Sequence, residues 1–134
     1  MEKNFKVVIY TPFGKYLSTE ADYLSVKSTV GVLGILPNHA PLITTLEISK
    51  LIIKNSGKEL KYAISGGVLN IKKDHTVTIL TDAIERSDEI DIARAIAAKE
   101  RAEARLNSND EIDIARAKIS LLKALNRIDV SDKN

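Results

Sequence analysis

Two sets of charged side chains carry most of the chemistry that this sequence offers. Asp91, Arg94, Arg101 and Arg105 follow one another at spacings of three, seven and four residues, which puts them on one face of a helix. Arg116, Lys123 and Arg127 follow at seven and four, again on one face. Folded antiparallel, the two stripes can be brought side by side. Converging guanidinium groups suit a polyphosphate, because each gives paired, charge-assisted hydrogen bonds. An acid such as Asp91 or Glu85 suits an adenine amine or a ribose hydroxyl. The simpler interpretation makes Asp91–Arg94 and Asp113–Arg116 intrahelical i,i+3 pairs, each worth about 0.2–0.5 kcal/mol. Spacing alone favours that simpler interpretation.

Other chemistries have little to stand on. His39 and His75 are the only histidines, neither has a partner at metal-ligand spacing, and there is no cysteine. His39 lies in Leu36-Pro37-Asn38-His39-Ala40-Pro41, a rigid loop in which a structural or interface role is expected. There is no Gly-x-Ser-x-Gly and no phosphate loop ending in Gly-Lys-Ser/Thr. Gly31-Val32-Leu33-Gly34 is too short and too apolar for a phosphate cradle and reads as a bend or bulge in a β segment. The net charge of +2, with acids interspersed among the bases and no aromatics in the second half, argues against nucleic acid as a partner. No run approaches the roughly 18 apolar residues of a membrane span, and Met1 to Lys6 lacks a signal-peptide core. A reducing, cytoplasmic setting fits, with membrane association only through a partner.

The elements that must hold these residues fall into two textures. All six glycines and all three prolines precede Ile84. That part has β-branched runs at Val7–Tyr10, Leu51–Ile53 and Val77–Thr81. Turn signals separate them at Thr11–Gly14, Asn55–Lys58, Ser65–Gly67 and Lys73-Asp74. Short strands at such spacing predict an antiparallel sandwich or barrel. From Ser87 onward Ala, Glu, Lys, Arg and Leu dominate, a helical composition. The octet Asp88–Ala95, DEIDIARA, recurs letter for letter at Asp110–Ala117. Acids followed by an arginine mark a helix start. The expectation is a helix from about 88 to 106, a turn through Asn107-Ser108-Asn109 with Ser or Asp as the next cap, and a helix from about 110 to 128. Apolar stripes are expected at Ile92, Ala95, Ile96, Ala102 and Leu106, and at Ile114, Ala117, Leu121, Leu125 and Ile128.

Several strings together resemble one family over essentially the whole chain. They are Ser25-Val26-Lys27, Gly31-Val32-Leu33-Gly34-Ile35-Leu36-Pro37-Asn38-His39-Ala40-Pro41-Leu42, Ser65-Gly66-Gly67-Val68-Leu69 and Ile90-Asp91-Ile92-Ala93-Arg94-Ala95. The resemblance is to the epsilon subunit of bacterial F-type ATP synthases. It implies an N-terminal antiparallel β-sandwich over residues 1–84, facing a gamma subunit and a rotor ring of c subunits, partly through the loop around Ser28 to Gly34. It implies a C-terminal antiparallel two-helix hairpin over residues 87–134 that folds up, or extends towards the catalytic alpha and beta subunits and inhibits hydrolysis. The role implied is non-catalytic, at the cytoplasmic face of the membrane, with no required cofactor. ATP is the implied regulatory ligand, bound by residues that match the family motif: Glu85, Ile90, Asp91, Arg94, Ala95, Arg101, Lys123 and Arg127. Lys123 departs from that motif, in which arginine stands; a lysine is a point charge without a bidentate fork. The resemblance makes the second DEIDIARA the start of the second helix, where Asp113 and Arg116 cap and pair. The alternatives from other classes are a free-standing ATP-binding sensor and a helical interaction scaffold.

Overall fold

The computed structural model describes residues 3–107 and 111–131. The chain divides into two compact units, Met1–Glu85 and Arg86–Asn134.

The first unit is a sandwich formed from one continuous sheet. Its strands are β1 (Phe5–Thr11), β2 (Gly14–Ala21), β3 (Tyr23–Ser28), β4 (Gly31–Ile35), β5 (Leu42–Asn55), β6 (Lys58–Ile71), β7 (Val77–Leu80) and β8 (Ile84–Arg86). The sheet order is β2-β1-β7-β6-β5-β3-β4, with β8 pairing β6. The period of two decides which side chains go inward. In β1, Phe5, Val7 and Ile9 are buried and join Leu24, Leu51, Ile64, Leu69 and Ile79 in one core. Each such side chain stabilises the fold by about 1.5–3 kcal/mol. The edge strand β2 also approaches β5, so the sheet curls over that core. Pairing is antiparallel at β1–β2, β3–β4, β3–β5, β5–β6 and β6–β7, whereas β1 and β7 run parallel.

Two features differ from the sequence reading. β5 and β6 are 14 residues each rather than short strands. Ser65-Gly66-Gly67 is therefore not a turn between strands but a distortion inside β6. Gly66 and Gly67 have φ of 93° and 134°, values that side-chain-bearing residues rarely adopt. A Cβ at Gly67 would run into the carbonyl oxygen of Leu80, so only glycine lets β7 lie this close. The β3–β4 hairpin needs no bulge at Gly34; β4 pairs regularly with β3, and Gly34 leaves room for the Tyr23 ring.

At one end of the sheet, the His75 ring Nδ1 donates to the carbonyl of His39 at 3.1 Å, and the Asp74 carboxylate accepts the Thr76 amide at 3.0 Å. The first bond ties the Pro37–Pro41 loop to the turn before β7, and the second holds that turn itself. At the β3–β4 turn, the buried Ser28 hydroxyl donates to the Gly31 carbonyl at 2.8 Å and accepts the Val30 amide at 3.2 Å. The turn is thus held from within, while Val30 at its tip is 85% exposed.

In the second unit, a 3-10 turn over Ser87–Glu89 precedes α1 (Ile92–Arg105) and α2 (Glu111–Ser131). The first helix begins four residues later than expected. Arg86 takes the Asp88 carboxylate at 2.6 Å, and Ile90 is extended and buried. Asp91 then caps the helix, its side chain accepting the Arg94 amide at 3.1 Å. The expected caps at Ser108 and Asp110 lie outside the described residues. α1 and α2 pack on each other. The few residues between them cannot carry the chain back along a helix, so the pair is antiparallel.

The seam differs from the expected apolar stripes. The fully buried positions are Ala95 and Ala102 on α1 and Ala117, Ala124 and, near its end, Val130 on α2, where Ser131 is buried as well. Ile92, Ile96 and Leu125 are exposed, and Ile114, Leu121 and Ile128 are only half-buried. Close approach of two backbones through alanine leaves no room for larger side chains between them, so these flank the seam instead.

Candidate functional site

The candidate site lies on the hairpin face that carries the arginines and Lys123. At 100° per residue, Arg94, Arg101 and Arg105 sit about 70–110° to one side of the Ala95/Ala102 line. Arg116, Lys123 and Arg127 sit at the same offset from Ala117/Ala124. In an antiparallel pair packed through these lines, equal offsets of the same hand fall on the same side. Both basic stripes therefore share one face of the hairpin. The four buried alanines keep a single antiparallel register when Ala95 lies opposite Ala124 and Ala102 opposite Ala117. That register sets Arg94 of α1 at the level between Lys123 and Arg127 of α2. α2 also packs on the Ser87–Glu89 turn that precedes α1.

Arg94, Arg101 and Lys123 are exposed, and Arg127 is half-buried. Asp91 is exposed at the N-cap. Ile90 and Ala95 are buried and have packing roles. Glu85 is a half-buried residue of β8, in the sandwich unit. The simpler interpretation of the acids does not hold. Among the described residues neither Asp91–Arg94 nor Asp113–Arg116 forms a side-chain ion pair; Asp91 binds the Arg94 backbone instead. Asp113 is in the first turn of a helix that starts at Glu111, so it is not the cap residue. The chemistry available on this face is the binding of a phosphate-bearing anion by guanidinium and ammonium groups. Among the described residues no group of three His, Cys, Asp or Glu side chains is placed to hold a metal ion.

The sandwich carries a second candidate surface that the sequence reading did not single out. Tyr10, Leu80 and Val68 pair across β1, β7 and β6 and point to the outer face, all partly exposed. Phe13, 97% exposed, follows β1 in the same loop as Pro12. The continuous apolar run Val7-Val8-Ile9-Tyr10 was the available signal, since alternation is expected where only one face is covered.

The beta-sandwich domain of the ATP synthase delta/epsilon chain matches residues 4–87, and the long alpha-helix domain of that chain matches residues 88–132. The ATP synthase epsilon chain of Desulforamulus reducens is 46% identical over 133 residues, which cover 98% of this chain and 100% of that one. The epsilon chain of Bacillus licheniformis is 42% identical over 130 residues, 96% of this chain and 98% of its own. In fold, the chain is similar to one in the cryo-EM structure of the Euglena gracilis mitochondrial ATP synthase (OSCP/F1/c-ring, rotational state 1), with a TM-score of 0.85 at 23% identity over 94% of this chain and 80% of that one. It is also similar to a chain of the Tetrahymena thermophila mitochondrial ATP synthase central stalk/c-ring, with a TM-score of 0.65 at 17% identity over 98% of each. The chain therefore belongs to the delta/epsilon chain family of ATP synthases. Within it, the bacterial relatives are epsilon chains, and this chain is a non-catalytic subunit of the synthase.

Proposed function

We propose that the chain is a rotor subunit of the central stalk of a bacterial F-type ATP synthase, at the cytoplasmic face of the membrane. It couples ion-driven rotation to ATP synthesis and restrains ATP hydrolysis through its helices. The sandwich docks on a gamma subunit through the outer row of Tyr10, Leu80 and Val68, extended by Phe13; exposed apolar area of this kind is what protein interfaces cover. The Ser28–Gly34 turn, with Val30 and Val32 outermost, faces a rotor ring of c subunits. The helices, when extended along gamma, reach the catalytic alpha and beta subunits.

The observation that carries the regulatory part is the shared basic face. ATP held by Arg94 and Arg101 of α1 together with Lys123 and Arg127 of α2 binds only while the helices are paired. Asp91 keeps one carboxylate oxygen for the base or ribose while the other caps the helix. Apart from Val130, the fully buried side chains of the two helices are alanines, which bury little area, so the seam opens at low cost. A ligand that bridges the two helices then stabilises the closed form by RT ln(1 + [ATP]/Kd), about 2.7 kcal/mol at a hundredfold excess over Kd. High ATP thus favours the folded, non-inhibitory hairpin.

Co-assembly with gamma and the catalytic subunits, followed by hydrolysis assays, tests this reading. The full chain is expected to assemble and to slow hydrolysis at low ATP. A chain ending before Ser87 is expected to assemble and to slow it less. Failure to assemble, or equal hydrolysis with both forms, would overturn it.

A further inference from the structure

The duplicated octet extends further than its eight letters. Arg94, Arg101 and Arg105 stand 22 residues before Arg116, Lys123 and Arg127, and the buried Ala95 and Ala102 stand the same distance before Ala117 and Ala124. An antiparallel pair built from two such helices has a local two-fold axis, normal to the plane of the pair and passing through the alanine seam. The axis exchanges Arg94 with Arg116, Arg101 with Lys123, and Arg105 with Arg127. The register that sets Arg94 between Lys123 and Arg127 therefore also sets Arg116 between Arg101 and Arg105. Two cationic triads result, each with one side chain from one helix and two from the other. Their centres are nine residues apart along the axis, about 13 Å.

Only Arg101 of the second triad belongs to the proposed ATP site. Arg105 and Arg116 are exposed, and among the described residues neither they nor Arg101 enter an ion pair. Three like charges gathered on one face repel one another. A bound phosphoryl group reverses that sign and uses the bidentate geometry that distinguishes arginine from lysine. The second triad is all arginine, whereas Lys123 interrupts the first.

The geometry points to a second phosphate-binding site on the hairpin, formed by Arg101, Arg105 and Arg116 and related to the first by the local two-fold. Its ligand class is a phosphate chain, either free oligophosphate or the phosphate tail of a second nucleotide. The inference rests on the pairing and register of the helices and goes beyond the nucleotide reading, which uses the first triad and Arg101 but neither Arg105 nor Arg116.

The test is a titration of the full chain with sodium tripolyphosphate, followed by calorimetry and by NMR of the arginine Nε–H groups, with ATP in a parallel arm. The expected result is two tripolyphosphates per chain, with saturable shifts at Arg105 and Arg116 as well as at Arg94 and Arg127. R105A/R116A should lower affinity at the second locus about a hundredfold, leaving one site and the shifts at Arg94 and Arg127. R94A/R127A should keep the shifts at Arg105 and Arg116. R105A/R116A replaces two exposed arginines, and R94A/R127A one exposed and one half-buried arginine, with the best helix former; circular dichroism checks that the helices persist. An ATP arm that moves Arg105 and Arg116 identifies a nucleotide tail as a ligand; movement with tripolyphosphate alone identifies free oligophosphate. Unmoved Arg105 and Arg116 signals at saturation, a second site that survives R105A/R116A, or equal displacement by chloride would overturn the inference. If Arg94 ignores ATP while Arg105 and Arg116 still bind tripolyphosphate, the nucleotide reading falls and the second site stands.

Discussion

The Asp91 carboxylate accepts the backbone amide of Arg94 at 3.1 Å, so the two residues that look like an ion pair in sequence form a helix cap in the fold. The Arg94 side chain is exposed, and among the described residues it enters no ion pair. Asp91→Ala should cost about 1 kcal/mol of hairpin stability, and Asp91→Ser should restore most of it, because a serine oxygen also caps. Thermal unfolding followed by helical ellipticity checks both. If the nucleotide reading holds, Asp91→Ser restores the helix without restoring ATP affinity. Recovery of both by serine would reduce Asp91 to a cap.

Arg94→Ala is expected to weaken ATP binding by tenfold or more, and Arg116→Ala by much less, since only Arg94 lies level with Lys123 and Arg127. The motif match favours the first copy of the octet, and equal losses in calorimetry would mean that the two copies had been assigned wrongly. Removing magnesium should change affinity little, because no metal-holding group exists among the described residues.

Lys123→Arg supplies the missing fork and should tighten ATP binding, by roughly tenfold for one charge-assisted bidentate contact. An unchanged Kd would mean that position 123 does not touch the phosphates.

Gly67→Ala sets a Cβ against the Leu80 carbonyl and should destabilise the sandwich by more than about 3 kcal/mol, combining strained φ with a backbone clash. Gly57→Ala, also at positive φ but with open space around it, should cost only about 1 kcal/mol. Urea midpoints of the two variants separate steric from conformational cost; similar values would show that β7 yields.

Hydrogen bonding from Thr76, chiefly its backbone amide, holds the Asp74 carboxyl below the ordinary aspartate value. A lowered folded-state pKa contributes stability that is present above the unfolded value and is lost as pH falls through the lowered one. The Asp74 carboxyl should titrate below an unfolded aspartate by NMR, and Asp74→Asn should flatten this part of the acid dependence. A midpoint at the ordinary value would contradict the cap-like bond.

The break between sandwich and helices was legible because glycine and proline stop where alanine, glutamate and arginine begin. The runs at Val7–Tyr10 and Val77–Thr81 became β1 and β7 because period and β-branching agree there. Ser65–Gly67 misled because glycine serves turns and distorted strands alike; only pairing with β5 and β7 decides between them, and pairing is non-local. The start of α1 misled because Asp88, Glu89 and Asp91 are all plausible helix-start acids, and the choice fell to Arg86 and to the burial of Ile90. The basic stripes were laid out from spacing, which carries over because α1 and α2 are helical at those positions. The alanine seam was not, since Ile92 and Ile96 outweigh Ala95 and Ala102 in any apolar count, yet only alanine fits between close backbones.

The most direct measurement is an ATP titration of the full chain read by backbone and arginine side-chain NMR. Saturable shifts at Arg94 and Arg101 on α1 and at Lys123 and Arg127 on α2, at the same nucleotide concentration, are the predicted result, because one ligand bridges both helices. No change at millimolar ATP, or shifts confined to one helix, would contradict it.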